Sequence, residues 1–243
     1  MTSEVLRSSN GPEVGSGPRW PPRVQVAGVS SLDEALFCAD VGVEALGFTL
    51  EVPGGVHDGL TWDKASEIIQ RVRQRIFTVV ITYLNSADTA GVLVETVNPH
   101  AIQFHGGISD EQLAIFCKRH PRTKTIGRVT VWNANAIAEA VCFNPTLWDG
   151  IVLDSRDPLT GRIGATGITH DWSLSSEIVK VSTLPVILAG GLNPDNVAQA
   201  IRLVKPCGVD AHTGVEDRNG TRNLSKIRAF TQAALAAFKA HPH

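Results

Sequence analysis

Hydrophobic residues recur along this chain in short continuous runs. Each run is followed by a longer stretch in which apolar positions return every three or four residues. The runs are Val24 to Ala27, Ala45 to Thr49, Phe77 to Tyr83, Ala101 to His105, Thr125 to Val131, Gly150 to Asp154, Pro185 to Ala189 and Gly208 to Ala211. Runs that are apolar throughout, rather than alternating, predict strands buried on both faces and hence a parallel sheet. The intervening stretches predict helices. Ser31 stands three residues before Glu34, and Ser109 three before Gln112, each a capping-box start. Thr61 caps a helix whose apolar face holds Ala65, Ile68, Ile69 and Val72. Further helices are predicted over 86–96, 134–142, 173–180 and from Pro194 to about Val204. The last runs from Asn223 to Lys239, with Leu224, Ile227, Phe230 and Ala234 on one face.

Eight strand–helix units in succession predict an α/β fold of one domain, a (β/α)8 TIM barrel over residues 23–240. The chain length of 243 residues suits that fold, for which about 250 is typical. A doubly wound open sheet is the competing arrangement. Residues 1–22 carry Ser, Gly, Pro and charges without an apolar stretch, and read as a disordered N-terminal tail rather than a secretory signal.

Composition narrows the partners. Lys and Arg number 22 against 24 Asp and Glu, so there is no basic excess to hold nucleic acid. No apolar stretch approaches the roughly 18–20 residues of a membrane span. The four cysteines, Cys38, Cys117, Cys142 and Cys207, fit no CxxC or zinc pattern. They read as free, mostly buried thiols, as expected in a reducing, cytoplasmic setting. No HExxH or Cys/His cluster points to a metal. The oligomeric state is left open.

A barrel of this kind carries its site at the C-terminal ends of the strands. Gly190 and Gly191 follow the seventh run, and Thr213 and Gly214 the eighth. Adjacent glycine-containing loops at these two strands are where barrels bind phosphate through main-chain N–H groups. Asp154 ends the sixth run, where a carboxyl can transfer a proton or simply tie down a loop. Gln103 and His105 alternate on the fourth, so both face one side. His105 is a candidate proton carrier or a hydrogen-bonded rim histidine. His212 is similar, and shares a face with Asp210 beside the proposed phosphate loop. His57 lies in the loop after the second run, where it is a candidate ligand contact. His100, His120, His170, His241 and His243 read as surface or turn residues.

Taken in order, these strand-end segments resemble the phosphoribosylanthranilate isomerase family of tryptophan biosynthesis. The segments that carry the resemblance are Ala45-Leu46-Gly47-Phe48, Ile102-Gln103-Phe104-His105-Gly106, Val152-Leu153-Asp154 and Gly164-Ala165-Thr166-Gly167 leading to Asp171-Trp172. Ile187 through Pro194, and Val209-Asp210 through Gly214-Val215-Glu216, complete the set. The resemblance implies an isomerase carrying out an Amadori rearrangement, from an aminated ribose 5-phosphate to the 1-amino-1-deoxyribulose 5-phosphate, without metal or organic cofactor. It implies Asp154 as the general acid that opens the sugar ring. It also implies Gly190-Gly191 and Thr213-Gly214 as the phosphate loops, and a phosphorylated sugar as the small-molecule partner.

Two positions depart from the family pattern. The family's general base is a Cys just before the Gly that ends the first strand, and here that position is Ala27. The family also carries a Ser-Pro-Arg stretch after the second strand, whose Arg meets the anthranilate carboxylate. The stretch from Val52 to Leu60 contains Pro53, Gly54, Gly55, His57 and Asp58 but no Arg. His105 or His212 is then the candidate base. The alternatives are a divergent member acting on a different phosphorylated sugar and a non-catalytic phosphometabolite-binding protein.

Overall fold

The structure is a computed structural model that describes residues 18–52, 60–156 and 167–241. Eight strands alternate with eight helices: β1 (Val24–Ala27), α1 (Leu32–Asp40), β2 (Ala45–Thr49), α2 (Trp62–Val72), β3 (Phe77–Thr82), α3 (Ala87–Val97), β4 (Ala101–Phe104) and α4 (Asp110–Arg119). The second half continues with β5 (Lys124–Val131), α5 (Asn135–Val141), β6 (Gly150–Ser155), α6 (Trp172–Val181), β7 (Val186–Leu188), α7 (Val197–Val204), β8 (Gly208–Ala211) and α8 (Leu224–Ala240). Every strand pairs in parallel with the next, and β8 pairs back onto β1 through Val24–Val209, Gln25–Asp210 and Val26–Ala211. That closing pair makes the sheet a (β/α)8 barrel and excludes the open sheet.

The helices begin where the sequence places caps. Ser31 Oγ accepts the N–H of Glu34, and Glu34 reaches back to the N–H of Ser30 at 3.0 Å. Ser109 Oγ accepts the N–H of Gln112, but the Gln112 side chain accepts from the N–H of Ala87 instead of closing its own box. It thereby ties α4 to the start of α3. One boundary differs from expectation. The helix expected from Pro194 begins only at Val197, because Asn193 Oδ1 accepts the N–H groups of Asp195 and Asn196 and holds a turn there.

Strand alternation sorts the interior into two cores. Residues such as Val24, Val26, Leu46, Phe48, Ile102, Phe104, Leu153, Leu188 and Val209 point outward and pack under the helices. Ala27, Ala45, Phe77, Val79, Ile81, Ala101, Ile126, Val152, Ile187 and Ala189 point inward and fill the bore. Trp20, which composition places in the tail, packs against the bore cluster with its ring 5.4 Å from Phe77, so the chain before β1 helps to floor the barrel. Among the cysteines, Cys38 and Cys117 are buried and Cys207 partly so, whereas Cys142 is exposed on the turn after α5. Among the described residues no helix is long and apolar enough to cross a membrane.

Candidate active site

The bore is largely apolar, and polar side chains enter it from β1, β4, β5, β6 and β8. Gln25, Gln103, Asp154 and Asp210 are all buried, and Arg128 is half-buried among them. Among the described residues, Oε1 of Gln103, Nε of Arg128 and Oδ1 of Asp210 are buried with no hydrogen-bond partner. Buried polar groups are ordinarily satisfied, because leaving one unpaired costs about 1–3 kcal/mol. Such unpaired donors and acceptors in the bore leave capacity for a polar ligand.

Electrostatics divide the two carboxyls from the histidines. Burial pushes Asp154 up to about 6, against the pull of the Ser155 N–H that donates to its Oδ1 at 2.8 Å and of the Arg128 guanidinium. Burial pushes Asp210 up to about 7, and the neighbouring Asp154 charge adds to the rise, while Gln25 and Arg222 draw it back. Two carboxyls that impede each other's ionisation hold a proton near neutral pH. His105 moves the other way. Burial, then the charges of Arg128 and His212, depress it to about 3. Its Nε2 lies 2.6 Å from Gln103 Nε2, and its ring stands edge-on to Tyr83. A neutral imidazole accepting from an amide matches the rim-histidine reading, not that of a proton carrier near neutral pH.

The two glycine loops meet. Gly190 and Gly191 have φ of +83° and +64°, conformations that favour glycine. Asn196 Nδ2 donates to the Gly191 carbonyl at 3.0 Å and fixes that turn. Gly214 packs directly on it, since a Cβ there would lie 1.9 Å from the Leu192 carbonyl oxygen. Gly167, the first described residue after 157–166, lies close by, a Cβ there falling 3.6 Å from Thr213 Oγ1. His57 and the Gly164 to Thr166 segment fall outside the described residues.

Two features of the rim escaped the sequence reading. Arg222, from the loop before α8, lies against the end of β1: a Cβ on Gly28 would fall 1.8 Å from its Nη2 and 2.6 Å from His212 Nε2. Arg222 pairs with Glu216 and donates to the His212 carbonyl at 3.3 Å. The second is His170, which is no turn residue. Its Nδ1 lies 2.9 Å from Ser155 Oγ and its Nε2 2.6 Å from Ser175 Oγ, joining the end of β6 to α6. Ser155 Oγ in turn backs Gly190, 2.0 Å from where a Cβ would stand. Neither feature has a local motif, because each depends on residues distant in sequence. His170→Ala should cost about 1–3 kcal/mol by stranding two hydroxyls. It should also weaken inorganic phosphate binding by about 3–10-fold, checked by thermal melting and phosphate titration. His100 and His120 are likewise built in, stacked on Phe77 and tilted against Phe116, each with ring centroids 4.9 Å apart.

Comparison with known proteins identifies the family and the fold. The profile of the N-(5'phosphoribosyl)anthranilate (PRA) isomerase family matches residues 26–233. The chain is 37% identical over 214 residues to the N-(5'-phosphoribosyl)anthranilate isomerase of Desulforudis audaxviator, covering 88% of this chain and 98% of that one. It is 32% identical over 216 residues to N-(5'-phosphoribosyl)anthranilate isomerase 2 of Methanosarcina mazei, covering 89% and 95%. The crystal structure of the Thermotoga maritima phosphoribosyl anthranilate isomerase superposes with a TM-score of 0.74 at 28% identity, over 88% of this chain and 99% of that one. Another solved phosphoribosyl anthranilate isomerase, in complex with reduced 1-(o-carboxyphenylamino)-1-deoxyribulose 5-phosphate, gives 0.72 at 26% identity over the same shares. The family profile over most of the chain and relatives above 30% identity place the chain in the phosphoribosylanthranilate isomerase family.

Proposed function

We propose that this protein isomerises an N-aryl aminoribose 5-phosphate, phosphoribosylanthranilate, to the corresponding 1-amino-1-deoxyribulose 5-phosphate. The observation that carries this reading is the buried carboxyl of Asp154 facing the mouth from β6, with the two glycine loops meeting at the ends of β7 and β8. Gly190, Gly191, Thr213 and Gly214 hold the phosphate through the main chain, and Gln103, Asp210 and Gln25 receive the sugar hydroxyls.

Asp154 gives its proton to the ring oxygen. The C1–O bond breaks, and the nitrogen lone pair forms the C1=N iminium. Loss of the C2 proton then yields an enolamine. Its tautomerisation places a carbonyl at C2 and a new hydrogen at C1, so C2 is oxidised as C1 is reduced within one molecule. The raised pKa of Asp154 suits a group that must still carry a proton near neutral pH.

A direct assay of the purified protein on phosphoribosylanthranilate, beside a panel of other phosphosugars, tests the reading. Saturable conversion that inorganic phosphate inhibits competitively is the expected result. Binding of phosphosugars with no conversion of any would point instead to a binding protein.

A further inference from the structure

The substrate proposed above carries a benzoate on its nitrogen, so a site that selects it needs a cation and an apolar surface near C1. No Arg stands between Val52 and Leu60. Of the guanidinium groups already placed, Arg222 is paired with Glu216, and Arg128 donates to Thr130 at 3.1 Å beside the buried carboxyls. A third stands further out, at the ends of β5 and β6.

We infer that Arg156, held over the indole of Trp132, receives the aryl carboxylate of the substrate while the indole meets the aryl ring. The assignment rests on the isomerase reading above and supplies its selectivity for an anthranilate over a plain aryl amine. Three observations carry it. The first is register. β5 and β6 pair as Thr130–Asp154 and Val131–Ser155, and the next step beyond both strands brings Trp132 beside Arg156. Val129, Val131 and Leu153 face outward under the helices, so strand alternation turns Trp132 and Arg156 to the side of Asp154. The second is contact. The guanidinium carbon of Arg156 lies over the Trp132 ring, 5.1 Å from its centroid. Stacking engages the face of a guanidinium and leaves its N–H fork to match a carboxylate. Among the described residues no carboxylate pairs with Arg156. The third is exposure. Trp132 is 61% exposed, the most exposed of the large apolar side chains among the described residues. It therefore offers apolar area to an aromatic ligand at the barrel mouth.

The covalent structure of the substrate fits this placement. In the proposed mechanism Asp154 protonates the ring oxygen, and that oxygen and the aryl nitrogen share C1. The aryl group thus begins beside Asp154, at the end of the sugar remote from the phosphate. Arg156 lies two residues beyond Asp154, about 6–7 Å further toward solvent. The ring carries its carboxylate outward from C1 in that direction.

The test compares the parent protein with Arg156→Gln and Trp132→Leu, each checked for folding by circular dichroism. The substrates are phosphoribosylanthranilate and phosphoribosylaniline, which lacks only the carboxylate. The parent should favour phosphoribosylanthranilate by about 5–30-fold in kcat/KM, the contribution of a well-formed bidentate pair, and Arg156→Gln should lose that preference through KM. Trp132→Leu should lower kcat/KM for both substrates by about 2–10-fold. Calorimetric titration with reduced 1-(o-carboxyphenylamino)-1-deoxyribulose 5-phosphate, and with its counterpart lacking the carboxyl, repeats the comparison without turnover. A parent that binds the two analogues within twofold of each other, or an Arg156→Gln protein that keeps the parent's preference, overturns the assignment and leaves the isomerase reading to its own assay. A Trp132→Leu protein that matches the parent on both substrates overturns the role of the indole. A binding preference that Arg156→Gln abolishes, in a protein that converts neither substrate, overturns the isomerase reading and keeps Arg156 as the carboxylate-binding group.

Discussion

Replacing Asp154 with Asn is expected to reduce turnover by at least 10²-fold while making the protein more stable at pH 8. The two effects share one cause. The Asp154 carboxyl is buried at the end of β6, and burial raises it from its ordinary value of 3.8 to about 6. The protonated form is the one the fold prefers and, in the proposed mechanism, the one that protonates the ring oxygen. Asn keeps the shape and the Oδ1 that accepts from the Ser155 N–H, but it has no proton to give. The folded state binds this proton more tightly than the unfolded chain does. Its contribution to stability is therefore complete below about pH 4 and is lost as pH rises through about 6. At pH 8 the parent protein holds a buried carboxylate that the variant lacks. A shift of one unit is worth about 1.4 kcal/mol, so the variant should gain about 1–3 kcal/mol, a rise of a few degrees in Tm that vanishes toward pH 4. Melting curves at pH 4 and pH 8 check the stability, and initial rates check the loss. In the parent protein kcat/KM should fall as pH rises above about 6, as an acid of this pKa requires. A variant with unchanged Tm at both pH values would show that Asp154 is solvated in the fold.

The fold was legible because continuous apolar runs and cap residues are local. Val24 to Ala27 and Phe77 to Thr82 announce doubly buried strands, and Ser31, Thr61 and Ser109 cap the helices they were expected to cap. Asp154, Gln103 and Asp210 were legible for a related reason. Each stands next to an outward-facing apolar residue, Leu153, Phe104 or Val209, so strand alternation turns it toward the bore. His105 was visible as a position but not as a chemical state, because its weak basicity comes from burial together with Arg128 and His212 on other strands. Arg222 and His170 were not legible at all. Arg222 reaches Gly28 from the far end of the chain once β8 closes on β1, and His170 acquires its role only when Ser155 and Ser175 flank it. Local pattern reports which residues line the barrel mouth, and closure of the barrel decides which of them touch.

That dependence on closure is what makes Gly214 sensitive. Gly214→Ala is expected to raise the KM for a phosphorylated substrate by about 10–100-fold, with a parallel loss of affinity for inorganic phosphate. The added methyl would meet the Leu192 carbonyl oxygen at 1.9 Å and its carbon at 2.8 Å, with Asn193 Cβ at 3.0 Å. These are mainly backbone atoms of the β7 loop, which Asn196 holds through the Gly191 carbonyl and which cannot swing aside as a side chain would. The β8 loop must therefore retreat, and the N–H groups of Thr213 and Gly214 leave the phosphate. Each charge-assisted hydrogen bond lost is worth about 1.5–3 kcal/mol, which sets the expected factor. Gly107 supplies the control, since it lies in the loop after β4 with nothing within 4 Å of an added Cβ. Gly107→Ala should leave phosphate binding within twofold of the parent. Calorimetric titration of both variants with inorganic phosphate separates the cases. Equal affinities would mean that the phosphate is not held where the two glycine loops meet, whereas a loss confined to Gly214→Ala locates the anion at the junction of the β7 and β8 exits.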